Sequence, residues 1–189
     1  MVTFSFFISP HWKPVQAIIS DFDTKKVGSI DIVFMFWLVQ SGIAQTGALF
    51  MNSYFQLGDD EARIAIDRCI AELKARKKTG SVAVADSHGE LVGLLRMNGA
   101  GFATATIATN KVFTASRLRQ PSGDLGKAAA EGGWDVHYHG DSRYLGWEGG
   151  APVFFQGTCI GSVAVSGLTG EEDFEIAQIG VAAILASLD

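Results

Sequence analysis

Three groups of residues in this chain have the types and spacing to do chemistry. The run His137-Tyr138-His139 places two histidines at i and i+2, which point to one side if the segment is a strand. Arranged so, His137 and His139 can share a metal ion or offer an axial ligand to iron, with Asp135 or Asp141 as the nearest further ligand. The same residues also suit a polar loop rich in Gly, Asp and His. Arg96 closes an apolar segment and Lys111 stands alone among Ala and Thr. A guanidinium fork and an ammonium point charge together make a clamp for carboxylates. The competing use is internal, with each cation paired to Asp86, Glu148 or Asp173, or extended to solvent. In "WEGGAP", Glu148 precedes Gly149 and Gly150. There Glu148 can serve as an acid or base, and the glycines permit a close backbone approach to a ligand or a tight entry into a strand.

These residues need a frame. "DDEARIAIDRCIAELKARKK" carries Ala62, Ile66, Cys69, Ile70 and Leu73 on one face, acids first and bases last, which predicts an amphipathic helix aligned with its own dipole. "SVAVAD" and "ELVGLLRM" predict a hairpin over 81–97, turning at Asp86 to Gly89, and His88 falls in that turn. A helix is expected from about Ala103 to Leu118, stopped by Pro121. Its Ala, Thr and Gly composition suits close packing against a sheet or another subunit, with Lys111 emerging from a smooth face. Ser122 to Trp147 is Gly-rich and poorly patterned. "APVFFQGTCIGSVAVSG" predicts a second hairpin turning at Gln156-Gly157, with Gly161 allowing a helix close to the sheet. Thr169 and Glu172 have capping-box spacing at the start of a last helix. Hairpins separated by helices imply an α+β domain around an antiparallel sheet.

Composition removes several function classes. The 189 residues are 48% hydrophobic with a formal net charge of −5, and no basic cluster offers a nucleic-acid surface. Two cysteines, Cys69 and Cys159, are too few for a disulfide scaffold or a Cys-based zinc site. There is no G-x-G-x-x-G after a strand, no Walker loop and no G-x-S-x-G elbow. Residues 1–58 differ from the rest: no charge occurs from Ile32 to Gly58, and Ile32 to Val39 is an aromatic-rich apolar run. An N-terminal extension outside a domain at 59–189 is expected. The alternatives are a secretion signal over residues 25–48, or a buried or membrane-attached element. The corresponding localisation is cytoplasmic, or secreted if that signal operates, with no firm membrane association.

Three ordered motifs then carry a resemblance. "VAVADSHGELVGLLRMNGA", "IATNKVFTA" and "GGAPVFFQGTCIGSVAVSGLTGEEDFEIA" resemble the GlcG/HbpS-like family of haem-binding or haem-degrading proteins. They are also similar to the C-terminal part of the PduO-type corrinoid adenosyltransferases. The resemblance implies a profilin-like layout, a homo-oligomer, and a small-molecule ligand that is haem or a related tetrapyrrole, with assistance in its breakdown. Under it, Arg96 and Lys111 would contact ligand carboxylates beside Gly149 and Gly150, and His137 or His139 would reach the iron. Lys111→Ala would then weaken ligand binding and leave the domain folded. Two further readings stay open: a haem-independent enzyme acting on a small carboxylate through Glu148 or a histidine, and an oligomeric accessory protein without catalysis.

Overall fold

The computed structural model describes residues 55–188, so the readings of the first fifty residues lie outside the described residues. Two strands of nearly the same sequence form the centre. Strand β1 (Ser81–Asp86) pairs antiparallel with β4 (Thr158–Ser166), matching Ser81 to Ser166, Val82 to Val165, Ala83 to Ala164 and Val84 to Val163. Like faces like across the ladder, and side chains alternate between faces. One face of the sheet is therefore lined with valine and the other with alanine and serine. Strands β2 (Leu91–Arg96) and β3 (Gly150–Phe155) complete the order β2-β1-β4-β3.

The valine face takes two helices, α1 (Asp59–Ala75) and the last helix, α4 (Gly170–Leu188). Val82, Val84, Val163 and Val165 meet Ala65, Cys69 and Leu73 from α1 and Ile176, Ala177 and Ile184 from α4. Burying each of the valine, leucine and isoleucine side chains is worth about 1.5–3 kcal/mol. Gly180 brings α4 down: a Cβ there would lie 2.7 Å from Cys69 Sγ and 3.0 Å from Val163 Cγ1. Leu57, ahead of α1, belongs to the same core and donates its N–H to the Ile160 carbonyl. Gly161, expected to admit a helix, instead clears the Ala85 carbonyl and the Leu57 side chain, at a φ of 153°.

The small-residue face takes α2 (Thr104–Leu118), whose Ala108 and Val112 pack on Ala83, Ala85 and Ala164. Here the Ala/Thr composition has its explanation: small side chains on both surfaces let helix and sheet approach closely. Serine and threonine hydroxyls are satisfied within the contact. Ser162 Oγ donates to the Val112 carbonyl at 2.8 Å, and Ser81 and Thr104 share a hydrogen bond of 2.7 Å.

Both hairpins form as predicted, the second through Gln156 and Gly157 at φ 49° and 78°, the signature of a type I′ turn. Thr169 and Glu172 form the expected reciprocal cap of α4. The stretch from Ser122 to Trp147 is more regular than its sequence suggests. It contains a helix, α3 (Ser122–Gly132), and a single 3-10 turn, Val136–His139. The histidines thus lie on a tight turn and not on a strand. Successive residues there rotate by about 120°, so i and i+2 do not share a side. Among the described residues no helix is long and apolar enough to cross a membrane.

Overpacking the α2–sheet contact tests this account. Ala108→Leu is expected to destabilise the protein by about 1–3 kcal/mol, lowering the melting temperature by several degrees. Thr106→Ala, at an exposed position on the same helix, should stay within about 0.5 kcal/mol in the same thermal melts.

Candidate functional site

At the end of the sheet where β4 stops and β3 begins, a cavity of about 900 Å³ opens between α2, α3, the 146–148 segment and the loop into α4. Its apolar wall includes Ile107, Ala130, Val136, Trp147 and Leu168. Four charged side chains also line it: Lys111, Lys127, Glu148 and Asp173.

The two deepest of these already hold each other. Lys111 Nζ donates to Asp173 Oδ2 at 2.8 Å and to the Val165 carbonyl at 2.9 Å. Asp173 Oδ1 accepts the Leu168 N–H at 3.1 Å. Both residues are only 2% exposed. Burial works against each charge, holding the Lys111 ammonium below the ordinary lysine range and the Asp173 carboxyl above the ordinary carboxylate range. Their mutual attraction pulls both back. Lys111 comes from α2 and Asp173 from the first turn of α4, so the bond ties together helices on opposite faces of the sheet.

Gly149 and Gly150 make room for this pair. Gly149 has a φ of 124°, and a Cβ there would sit 2.6 Å from Lys111 Nζ and 2.8 Å from Asp173 Cβ. A Cβ on Gly150 would meet the Lys111 carbonyl at 2.7 Å and Ser122 Oγ at 2.8 Å. Ser122 Oγ in turn donates to the Trp147 carbonyl and accepts the Gly150 N–H, pinning the loop to α3. The two glycines serve close packing and are not part of the cavity wall.

Glu148 is in the wall, 37% exposed, with Oε1 3.6 Å from Lys127 Nζ. It is gripped on two sides by glycines. A Cβ on Gly123 would lie 3.0 Å from Glu148 Cβ, and one on Gly170 would lie 2.9 Å from it. Lys127 is more open, 64% exposed, and also stands 3.9 Å from Asp124.

The other expected residues lie elsewhere. Arg96 is exposed at the end of β2, donates to the Ala100 carbonyl at 3.2 Å and stacks over Phe102; it is not in the cavity wall. His137 and His139 are exposed, one and three residues beyond the wall residue Val136. His137 Nδ1 is 2.6 Å from Asp135 Oδ1, and hydrogen bonds from the His137 backbone and ring hold the Asp135 carboxyl below the usual range. His139 stacks on Tyr144 with centroids 4.6 Å apart. Among the described residues no three His, Cys, Asp or Glu side chains are grouped to hold a metal. Cys69 and Cys159 are both free and buried, and burial pushes the Cys69 thiol up to about 12, away from nucleophilic use.

Lys127 was not singled out from the sequence, because the segment around it does not read as a helix. Gly123 and Gly126 each weaken helix formation by about 1 kcal/mol. Both glycines are there for contact, Gly123 against Glu148 and Gly126 against Gly146. The available signal was "GKAAA", good helix formers directly after the second glycine.

The buried pair reverses the expectation for Lys111 substitutions. Removing Lys111 strands a carboxylate in the interior, so Lys111→Met is expected to cost about 3–5 kcal/mol in chemical denaturation. The double substitution Lys111→Met with Asp173→Leu should recover most of that loss, since no uncompensated charge remains.

Comparison with known proteins agrees with this architecture. A family described as "Haem degrading protein HbpS-like" matches residues 57–182. A Citrobacter freundii protein, an uncharacterized 15.0 kDa protein in the dhaT-dhaS intergenic region, is 33% identical, the match covering 51% of this chain and 69% of that protein. The crystal structure of a double mutant of Streptomyces reticuli HbpS superposes with a TM-score of 0.64 at 27% identity, over 70% of this chain and 89% of that one. The PduOC:heme complex superposes with a TM-score of 0.62 at 22% identity, over 68% and 94% of the two chains, a likeness of fold. With two thirds of its length matched by the family, the chain belongs to the HbpS-like family.

Proposed function

We propose that this protein binds haem or a related tetrapyrrole at the cavity beside α3 and takes part in handling that ligand, including its breakdown. The observation that carries the reading is the cavity itself. At about 900 Å³ it falls within the 300–1,000 Å³ of small-molecule sites, and it combines an apolar wall with an accessible cation. Ile107, Val136, Trp147 and Leu168 suit the face of a flat macrocycle, and Lys127 suits a propionate. Among the described residues of the wall there is no His, Cys, Met or Tyr; the imidazoles proposed to reach the iron are His137 and His139, which follow the wall residue Val136. Bound haem would supply a redox-active iron, and the chain supplies burial, carboxylate recognition and these rim imidazoles. The family description and the haem held by PduOC support this choice of ligand.

An enzyme acting on a small carboxylate is the second reading. It is supported by Glu148, the wall carboxylate that is not buried against Lys111. The proposal extends to a homo-oligomer, supported by strand β2, which lies at the edge of the sheet among the described residues and leaves Leu91, Leu94 and Leu95 exposed.

Mixing the full chain with hemin should produce a Soret band shifted from that of free hemin, and the shift should weaken in a His137→Ala/His139→Ala variant. An unchanged hemin spectrum would overturn the tetrapyrrole reading and leave the carboxylate enzyme in its place.

A further inference from the structure

The cavity wall holds two positive and two negative side chains, and they are not equivalent. Lys111 and Asp173 neutralise each other at 2.8 Å with both charges out of solvent. Neither can turn to a ligand without leaving its partner uncompensated in the interior. Lys127 and Glu148 stand 3.6 Å apart, longer than the 2.7–2.9 Å of a strong charge-assisted hydrogen bond, and both are open to solvent. A pair of that length and exposure is weak and easily exchanged.

The two members of this open pair differ in freedom. Glu148 is fixed by its backbone and Cβ, closed in between Gly123 of α3 and Gly170 of α4. Lys127 reaches across from α3 on a four-carbon stem, 64% exposed. The nearby wall residues Val136, Ala130 and Trp147 are uncharged, and the other carboxylate near its ammonium, Asp124 at 3.9 Å, is 48% exposed on the same helix and holds it only weakly. Lys127 is therefore the one wall cation, among the described residues, that can change partners at little cost.

We infer that Lys127 selects an anionic group on a flat apolar ligand, and that Glu148 is a built-in competitor occupying Lys127 when no ligand is present. The inference rests on the tetrapyrrole reading for the identity of the natural ligand, but the charge logic applies to any flat apolar anion. When an apolar ring covers the wall it excludes water, which strengthens the contact between Lys127 and the ligand's anion. Glu148 loses its partner in the same step, so the carboxylate of this chain works against binding. It is a specificity device and not a ligand contact: uncharged molecules of the same shape have nothing to offer Lys127 and do not displace Glu148.

Two matched pairs of probes test this on the full chain: hemin against hemin dimethyl ester by absorbance, and 8-anilinonaphthalene-1-sulfonate against uncharged N-phenyl-1-naphthylamine by fluorescence. Lys127→Gln should weaken both anionic probes about five- to tenfold and leave both uncharged probes within about twofold. Glu148→Gln, nearly identical in shape and so compatible with Gly123 and Gly170, should tighten the anionic probes about two- to fivefold. Equal effects on charged and uncharged probes, or weaker anion binding in Glu148→Gln, would overturn the inference. If hemin fails to bind while the sulfonate probe follows this pattern, the tetrapyrrole reading falls and anion selection by Lys127 stands. If hemin binds and the charge pattern is absent, the reverse holds.

Discussion

A lysine and an aspartate that water does not reach have to stay together, and much of this fold is arranged around that requirement. Lys111 crosses from α2 on one face of the sheet to Asp173 on α4 at the other, past the end of β4. Separated, each would carry a desolvation penalty of several kcal/mol. The bond therefore fixes how the two helical layers meet at this end of the sheet. Gly149 is glycine because a Cβ would strike the pair, and its carbonyl accepts the Val165 N–H at 3.1 Å beside it. The cavity forms where this closed end leaves space, so its position follows from the pair as much as from the residues lining it.

The close approach of α2 is what allows the ion pair to be short. Serine and alanine on one face of β1 and β4, set against Ala108 and Val112, keep the helix near the sheet. Larger side chains at those positions would lift α2 and take Lys111 out of reach of Val165 and Asp173. Size segregation between the two faces of one sheet thus has an electrostatic consequence, transmitted by packing alone.

Charge at the cavity is divided between a structural pair and an adjustable one. Desolvation makes Lys111 and Asp173 dependent on each other, while exposure makes Lys127 and Glu148 weakly coupled. Burial is the variable that separates them, because Coulomb attraction in a water-excluded setting is many times that at the surface. The same two kinds of side chain, an ammonium and a carboxylate, hold the fold in one case and remain available for recognition in the other.

Much of the framework was legible in the linear sequence, because it depends on local chemistry. Alternation in "SVAV" made strands, Gln156-Gly157 made a tight turn, Thr169 and Glu172 made a cap, and the dipole-matched charges of α1 made a helix. The motifs shared with the HbpS-like family were readable for the same reason. Glu148 lines the cavity, but the close approach marked by the two glycines after it is to Lys111, Asp173 and Ser122 and not to an open site. What the sequence could not decide was which charges find each other. Asp173 lies 62 residues from Lys111, and choosing it over Asp86 or Glu148 depends on how two helix layers wrap a sheet end. Arg96 and Lys111 looked alike in sequence; one is now exposed beside Phe102 and the other is buried. Helix α3 was hidden because its glycines lower intrinsic propensity, and only packing against Glu148 and Gly146 compensates for them. Local propensity and pattern are properties of neighbours along the chain, whereas burial, and with it the role of every charge, is a property of neighbours in space.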